Sequence, residues 1–321
     1  MNFNYKKQKK LFENWRRFLK EDQEVQDLSD IFNLPLGSFV EKMNSMQKDT
    51  LKNIFSGLKD GSGKDDIVVI KETTVKASDL RPTQSEVVFS KSIPFALQRP
   101  EMFMKYRSSN GPFQVGPPNN NAIVTFKGKF ILDGHHRWSS LYCVNPNASL
   151  ATFDISAPVS PLSALKLMQA SIKAYIKGQD IPSNQGGGIN LFTIDQDTLF
   201  KQVEKYMTPE LAQKYISLGL LKSLEEDIET GRKQRRQQNP DRESKGQLKS
   251  VIQTLQGIYL ENINKMQTNN KPVSGATPRP AMPQTDSPEG SNVKVGGGTP
   301  AALKPLEKGM IDFRSPFRSD K

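Results

Sequence analysis

Cysteine is nearly absent: Cys143 is the only one in 321 residues, and histidine occurs only twice. A single thiol excludes an intramolecular disulfide and a zinc site built from thiolates, and it suits a reducing compartment. No apolar run is long enough to cross a bilayer. The start of the chain, MNFNYKKQKK, lacks the apolar core and small-residue cleavage site of a secretory signal. These absences lead to the expectation of a soluble cytoplasmic chain, or of a component assembled inside a cell. Apolar residues are scarce as well, at 35% of the chain, so part of it is expected to stay outside any core. Charge, by contrast, is plentiful and unbalanced. A formal net charge of +11 attracts polyanions, of which nucleic acid is the commonest inside a cell. Ordinary solubility is the other reading of that charge.

Residues 1–58 read as a helical region. Leu11, Phe12, Trp15, Phe18 and Leu19 form one apolar face of a helix over 9–24. Lys6, Lys7, Lys9, Lys10, Arg16, Arg17 and Lys20 make the rest of that surface basic. Such a helix docks on a protein partner, on an acidic surface or on its own chain. A second helix is predicted over Ser38–Leu58, with Phe39, Met43, Met46, Leu51, Ile54 and Phe55 facing inward. The polar, Gly-containing stretch Lys59–Asp66 reads as a linker.

The pattern then changes. Ile67–Ile70 and Thr73–Val75 have strand character, as do Ala122–Phe126, Lys129–Leu132 and Ser149–Ile155. Lys127-Gly128 reads as a two-residue hairpin turn. A helix opens at Gly134 and runs through Trp138, Leu141 and Tyr142. Interleaved strands and helices predict an α/β class, here a small mixed-sheet domain over 67–157 flanked by helices. In the following helical region, 160–265, Ser160 as N-cap and Pro161 at the first position start one helix. Leu162, Leu165, Leu167, Met168, Ile172 and Ile176 form its stripe, and Gly178 can end it. The run Gly186-Gly187-Gly188 lacks the Lys-Ser/Thr of a P-loop and reads as a flexible connection. Helical patterns return over Asp197–Thr230 and Gln247–Lys265. Between and beside them lie Arg232, Lys233, Arg235, Arg236, Arg242, Lys245 and Lys249. This cluster either holds nucleic-acid phosphates by counterion release or is a solvated helix end favoured by the macrodipole. From Thr268 to the end, 268–321, Pro, Gly, Ser and Thr dominate, and a disordered tail is expected. Within it, Met310–Arg318 carries two Phe and two Arg and reads either as a docking segment or as plain tail.

Both histidines sit side by side in Asp133-Gly134-His135-His136-Arg137, after an apolar strand and at the opening of a helix. A helix start collects backbone N–H groups and the positive end of a dipole. Arg137 adds a planar fork suited to phosphate or carboxylate oxygens. Asp133 can orient a histidine, bind a metal through water or accept a proton. The plain alternative is an Asp-Gly turn with two helix-start residues. A compact three-ligand metal site is disfavoured, because neighbouring helix positions diverge by roughly 100°, and no metal ligands are assigned. Cys143 lies in an apolar helix and reads as structural.

The order strand, Asp-Gly-His-His-Arg, helix resembles the signature of the ParB/sulfiredoxin superfamily, over roughly 90 residues. It is closest to the ParB-like nuclease-domain and free-serine-kinase-like branches. Val75–Gln84 resembles that family's strand leading into a Pro-x-Gln turn, and Glu86 and Lys91-Ser92-Ile93 fall where its members place polar site residues and a helix. In the partitioning ParB proteins the matching box is Gly-Glu-Arg-Arg, so His135 and His136 replace Glu and the first Arg, while Gly134 and Arg137 persist. Sulfiredoxins have Cys where this chain has His135, and their sulfinic-acid repair is not expected here. The resemblance implies a nucleotide or nucleic-acid phosphate held by Gly134, Arg137 and Gln84. It also implies phosphoryl-transfer or phosphodiester chemistry by Asp133, His135, His136 and Glu86, as in a nuclease or a nucleotide-dependent kinase, with ATP or CTP and Mg²⁺ as cofactors. The competing expectation is a non-catalytic nucleic-acid-binding or assembly protein that keeps the fold as a binding module. The basic start and long tail look similar to those of proteins carried by large bacteriophages, which would place the chain in the host cytoplasm or the virion.

Overall fold

In a computed structural model the described residues are 28–57, 64–109, 111–115, 122–176, 187–221, 240–279, 282 and 298–312, with backbone alone for 28–30 and 240–245. The basic helix over 9–24 and the cluster Arg232, Lys233, Arg235 and Arg236 lie outside the described residues, as do 313–318.

Five strands form one mixed sheet: β1 Val69–Lys76, β2 Arg81–Pro82, β3 Ile123–Phe126, β4 Phe130–Asp133 and β5 Ser149–Ser156. Their spatial order is β1-β5-β3-β4-β2. The β1/β5 and β3/β4 pairs are antiparallel, and β3/β5 and β4/β2 are parallel. The mixed α/β class expected from the sequence is what the chain adopts.

Side chains alternate across a strand with period two, and here both faces are buried. Val124, Phe126, Leu132, Ala151, Phe153 and Ile155 face one core, and Ile123, Ile131 and Leu150 face the other. The first core is closed by α1 Leu28–Asn33, α2 Leu36–Ser45, α3 Lys48–Ile54 and, after the sheet, α7 Pro161–Tyr175. The second is closed by α4 Phe89–Leu97, α5 Pro100–Arg107, α6 His135–Tyr142, α8 Gln196–Tyr206, α9 Pro209–Ser217 and α10 Pro240–Asn269. Each core draws on well-separated stretches of the chain, the first on residues from Ile31 to Ile311 and the second on residues from Ala77 to Met266.

The hairpin forms, with a three-residue connection in place of the predicted two. Lys127 (φ 53°) and Gly128 (φ 61°) are both left-handed, Phe126 pairs with Phe130, and Asp154 accepts from Gly128 N at 2.7 Å. Ser160 caps α7 through its hydroxyl, which accepts from Ser163 N at 3.1 Å. Two predicted helices are each broken in two. Ser38–Leu58 is interrupted at Met46, whose backbone is extended. Asp197–Thr230 is interrupted at Met207-Thr208, because Pro209 starts a new helix with Thr208 as its cap (Leu211 N to Oγ1, 3.2 Å). The helix predicted over Gln247–Lys265 is longer at both ends. Val251, Leu255, Tyr259, Ile263 and Met266 form its fully buried stripe.

Two stretches of the expected tail are built into the fold. Leu303, Leu306 and Ile311 are buried in the first core, with α11 Lys304–Glu307 between Ala302 and Ile311. Val68 N donates to Leu306 O at 3.1 Å and Asp312 N to Phe55 O at 2.8 Å. Residues 270–279 lie against the β2 loop, where Val273 N donates to Pro82 O at 3.0 Å and Ser85 N to Thr277 O at 2.9 Å. Composition misses this, because a few apolar residues suffice where they fall together on an open core face. Replacing Leu306 by Ala should lower stability by about 2–5 kcal/mol, the range for a buried Leu or Ile truncation. A urea titration checks it, and an unchanged midpoint would mean that the segment contributes nothing.

Candidate anion-binding site

The site begins with a backbone requirement. Between β4 and α6, Gly134 has φ 93° and ψ 24°, a left-handed conformation that side chains rarely adopt. A Cβ there would lie 2.5 Å from Ile123 Cγ2, in the neighbouring strand. The chain can therefore turn from strand end to helix start in one residue, with Asp133 on one side and His135, His136 and Arg137 on the other. Asp133 stabilises the turn, its Oδ1 accepting from Gly134 N at 2.8 Å. Its Oδ2 accepts from Arg137 Nη2 at 3.1 Å, with both side chains about one-eighth exposed.

The two imidazoles point back toward the loop that follows β2. His135 Nε2 accepts from Thr83 N and from Gln84 N, each at 3.2 Å. His136 Nε2 accepts from Val88 N at 3.1 Å, and Val88 is the cap of α4. An Nε2 that accepts carries no proton, so in each neutral ring the proton sits on Nδ1. Burial, the largest cause, lowers the pKa of both rings. Arg137 and Arg279 reinforce the effect at His135, which falls to about 3 although a hydrogen bond to the Ile131 backbone opposes the shift. At His136 the further causes are Arg279, His135 and Lys91, and the pKa falls to about 2.

A cavity of about 410 Å³ opens beside this turn. Four cationic side chains line it, Lys91, Arg99, Arg137 and Arg279, against one carboxylate, Asp133. Lys91 stands in the first turn of α4, so two helix starts face the same space. Arg99 lies over the Phe95 ring, 4.6 Å from its centroid, which gives the wall a flat cationic face. Burial lowers the Lys91 pKa, as does Arg279, while Glu86 raises it. The Ser140 hydroxyl is buried in the wall with no hydrogen-bond partner.

Of the residues singled out from sequence, Asp133, Gly134, His135, His136, Arg137 and Gln84 come together at this cavity. Glu86 does not line it, and its Oε1 accepts from Gly187 N at 3.2 Å. The Gln84 side chain donates to Glu86 O, so it braces the loop while lining the cavity. Arg99 and Arg279 were not legible as site residues. Arg279 in particular lies in the Pro-rich stretch expected to be disordered, and no local signal marks it. Among the described residues no group of three or more His, Cys, Asp or Glu forms a metal cluster.

Two outcomes follow. Gly134→Ala combines backbone strain with overpacking against Ile123 and should cost about 2–4 kcal/mol of stability, read from urea unfolding; a loss under 0.5 kcal/mol would contradict the turn's role. The histidines should also give stability a pH dependence. Each imidazole resists protonation in the fold but accepts a proton near pH 6.5 when unfolded, so the unfolded state binds more protons between those values. Stability is then full above pH 6.5 and falls as pH drops toward 3, by up to about 1.4 kcal/mol per pH unit for each ring. Unfolding midpoints at pH 7, 6 and 5 test this, and His136→Gln should flatten the slope.

No family model matches this chain, and no match was found among curated proteins or solved structures.

Proposed function

We propose that this protein binds a phosphate-bearing ligand, a nucleotide, in the cavity beside Asp133–Arg137. The observation that carries the reading is the charge of the lining: four cations and one carboxylate around a single space at two helix starts. A volume of about 410 Å³ falls within the range of small-molecule sites and is too small for a duplex. Lys91, Arg99, Arg137 and Arg279, with the Gly134–Arg137 backbone, would hold the phosphates. The apolar walls at Pro94, Phe95, Val115 and Met282 suit the less polar part of such a ligand. Resemblance to the ParB/sulfiredoxin superfamily points to the same ligand class, ATP or CTP. Mg²⁺ would arrive on the phosphates, with Asp133 as the lining's carboxylate.

Binding is better supported than catalysis. Neither imidazole carries an exchangeable charge near neutral pH, and each Nε2 is engaged by backbone amides. Asp133 is held by Gly134 N and Arg137, and Glu86, outside the lining, accepts from Gly187 N. Phosphoryl transfer or phosphodiester cleavage would need one of these groups to change partners. A second reading, a nucleic-acid-binding or assembly protein, is favoured by the net charge of +11.

Calorimetry with ATP, ADP, CTP and a short DNA duplex, each with and without Mg²⁺, separates the two. A charge-assisted hydrogen bond contributes about 1.5–3 kcal/mol, and 1.4 kcal/mol is tenfold in affinity. Lys91→Gln and Arg99→Gln should therefore each weaken nucleotide binding by about 10- to 100-fold. Failure of every nucleotide to bind, with salt-sensitive duplex binding untouched by the substitutions, would overturn the proposal.

A further inference from the structure

Lys91, Phe95 and Arg99 recur at every fourth position, from α4 into the start of α5, and all three line the cavity. Residues four apart share one face of a helix, so Lys91 and Phe95 stand on the same wall, roughly 6 Å apart along the axis. The Phe95 ring is half-buried, and its surroundings hold it in place. Pro94, beside it in the helix, fixes its own φ and stiffens that turn. Arg99 lies over the ring, 4.6 Å from its centroid. The guanidinium is tied there, because Nη1 donates to Phe95 O at 2.9 Å and the Arg99 amide donates to Ala96 O at 3.0 Å. A ring and a guanidinium plane thus form one preorganised stack in the wall. Pro94, Val115 and Met282 add apolar lining, and Gln98 adds a neutral amide that can both donate and accept. A bare phosphate has no use for such a surface. A nucleobase does, since every base has a π face and bases stack on aromatic rings and on arginine planes.

We propose that Phe95, with Arg99 over it, is the platform on which the ligand's base stacks, so that the base adds to the affinity supplied by the phosphates. This rests on the preceding reading of the cavity as a nucleotide site. The order of groups along the wall fits a nucleoside phosphate from end to end. Lys91, in the first turn of α4, shares the lining with Gly134–Arg137 and takes the phosphate end. One turn further on, Phe95 takes the base, with the sugar between them. Arg99 then serves in two ways, its charge toward the phosphates and its plane toward the base. Because stacking tolerates any base, the platform assigns nucleoside phosphates as a class over polyphosphates and sugar phosphates, and ATP and CTP both satisfy it.

The test compares two probes on the full chain by calorimetry, both with Mg²⁺: ATP, and inorganic tripolyphosphate, which offers the phosphates without a base. The intact protein should bind ATP at least tenfold more tightly, although tripolyphosphate is at least as highly charged. Phe95→Leu, which keeps apolar bulk without a ring, should weaken ATP about tenfold, within the range for loss of one base–aromatic stack, and leave tripolyphosphate within threefold. Phe95→Tyr, which keeps the ring, should retain the preference for ATP. Melting temperatures without ligand check that both variants fold. Equal affinity of the intact protein for the two probes would overturn the platform while leaving the phosphate site standing. Equal weakening of both probes by Phe95→Leu would reduce the ring to a plain part of the wall and overturn its assignment. Absence of binding by both probes would overturn the phosphate site, and the platform with it.

Discussion

Two imidazole nitrogens accepting three backbone amides hold this site together. His135 takes the amides of Thr83 and Gln84, and His136 takes that of Val88. Those contacts tie the start of α6 to the loop after β2 and to the start of α4. They require neutral rings, and burial among arginines keeps the rings neutral. Everything else at the cavity depends on that attachment: the position of Lys91 on α4, the pairing of Gln84 with Thr277, and through that pairing the position of Arg279. Adjacent histidines in a nucleotide-like motif suggest proton transfer when read as sequence. In the fold they act first as hydrogen-bond acceptors, which makes them supports for the residues that line the cavity.

Much of this was legible from local pattern. The hairpin, the strand leading into Asp133, the turn at Gly134, the helix after it and the Ser160-Pro161 helix start each rest on residues close together in sequence. The structure reproduces each of them, with shifts of a residue or so at the ends. What was not legible depends on partners far along the chain. Leu303, Leu306 and Ile311 look like sparse tail residues until the open face between α3 and α7 is known. Arg279 sits in a Pro-rich stretch whose composition predicts disorder, and its place at the cavity follows only from three backbone hydrogen bonds between its segment and the β2 loop. The break at Thr208-Pro209 was legible in principle, since a Pro preceded by a good cap restarts a helix, but apolar periodicity running across it masks the signal.

The charge of the chain divides into two parts with different meanings. Asp133 neutralises Arg137 within the turn, so that arginine is held as an oriented fork rather than as a mobile cation. Lys91, Arg99 and Arg279 share the lining with Asp133, its one carboxylate, and Lys91 also feels Glu86 from outside it. These three side chains come from two distant parts of the chain, Lys91 and Arg99 from α4 and the start of α5, and Arg279 from the C-terminal stretch.

The sheet order carries a consequence for how the chain reaches this state. Only β3 and β4 are neighbours both in sequence and in space. β1 must find β5, with Lys76 opposite Ser149, and β2 must find β4 across the helices between them. Closing loops of that size costs chain entropy before any pairing compensates for it, and topologies rich in distant contacts fold slowly. The hairpin ending in Asp133 is thus the natural first structure on the folding route. The cavity, whose walls come from segments nearly two hundred residues apart, is among the last features to be completed.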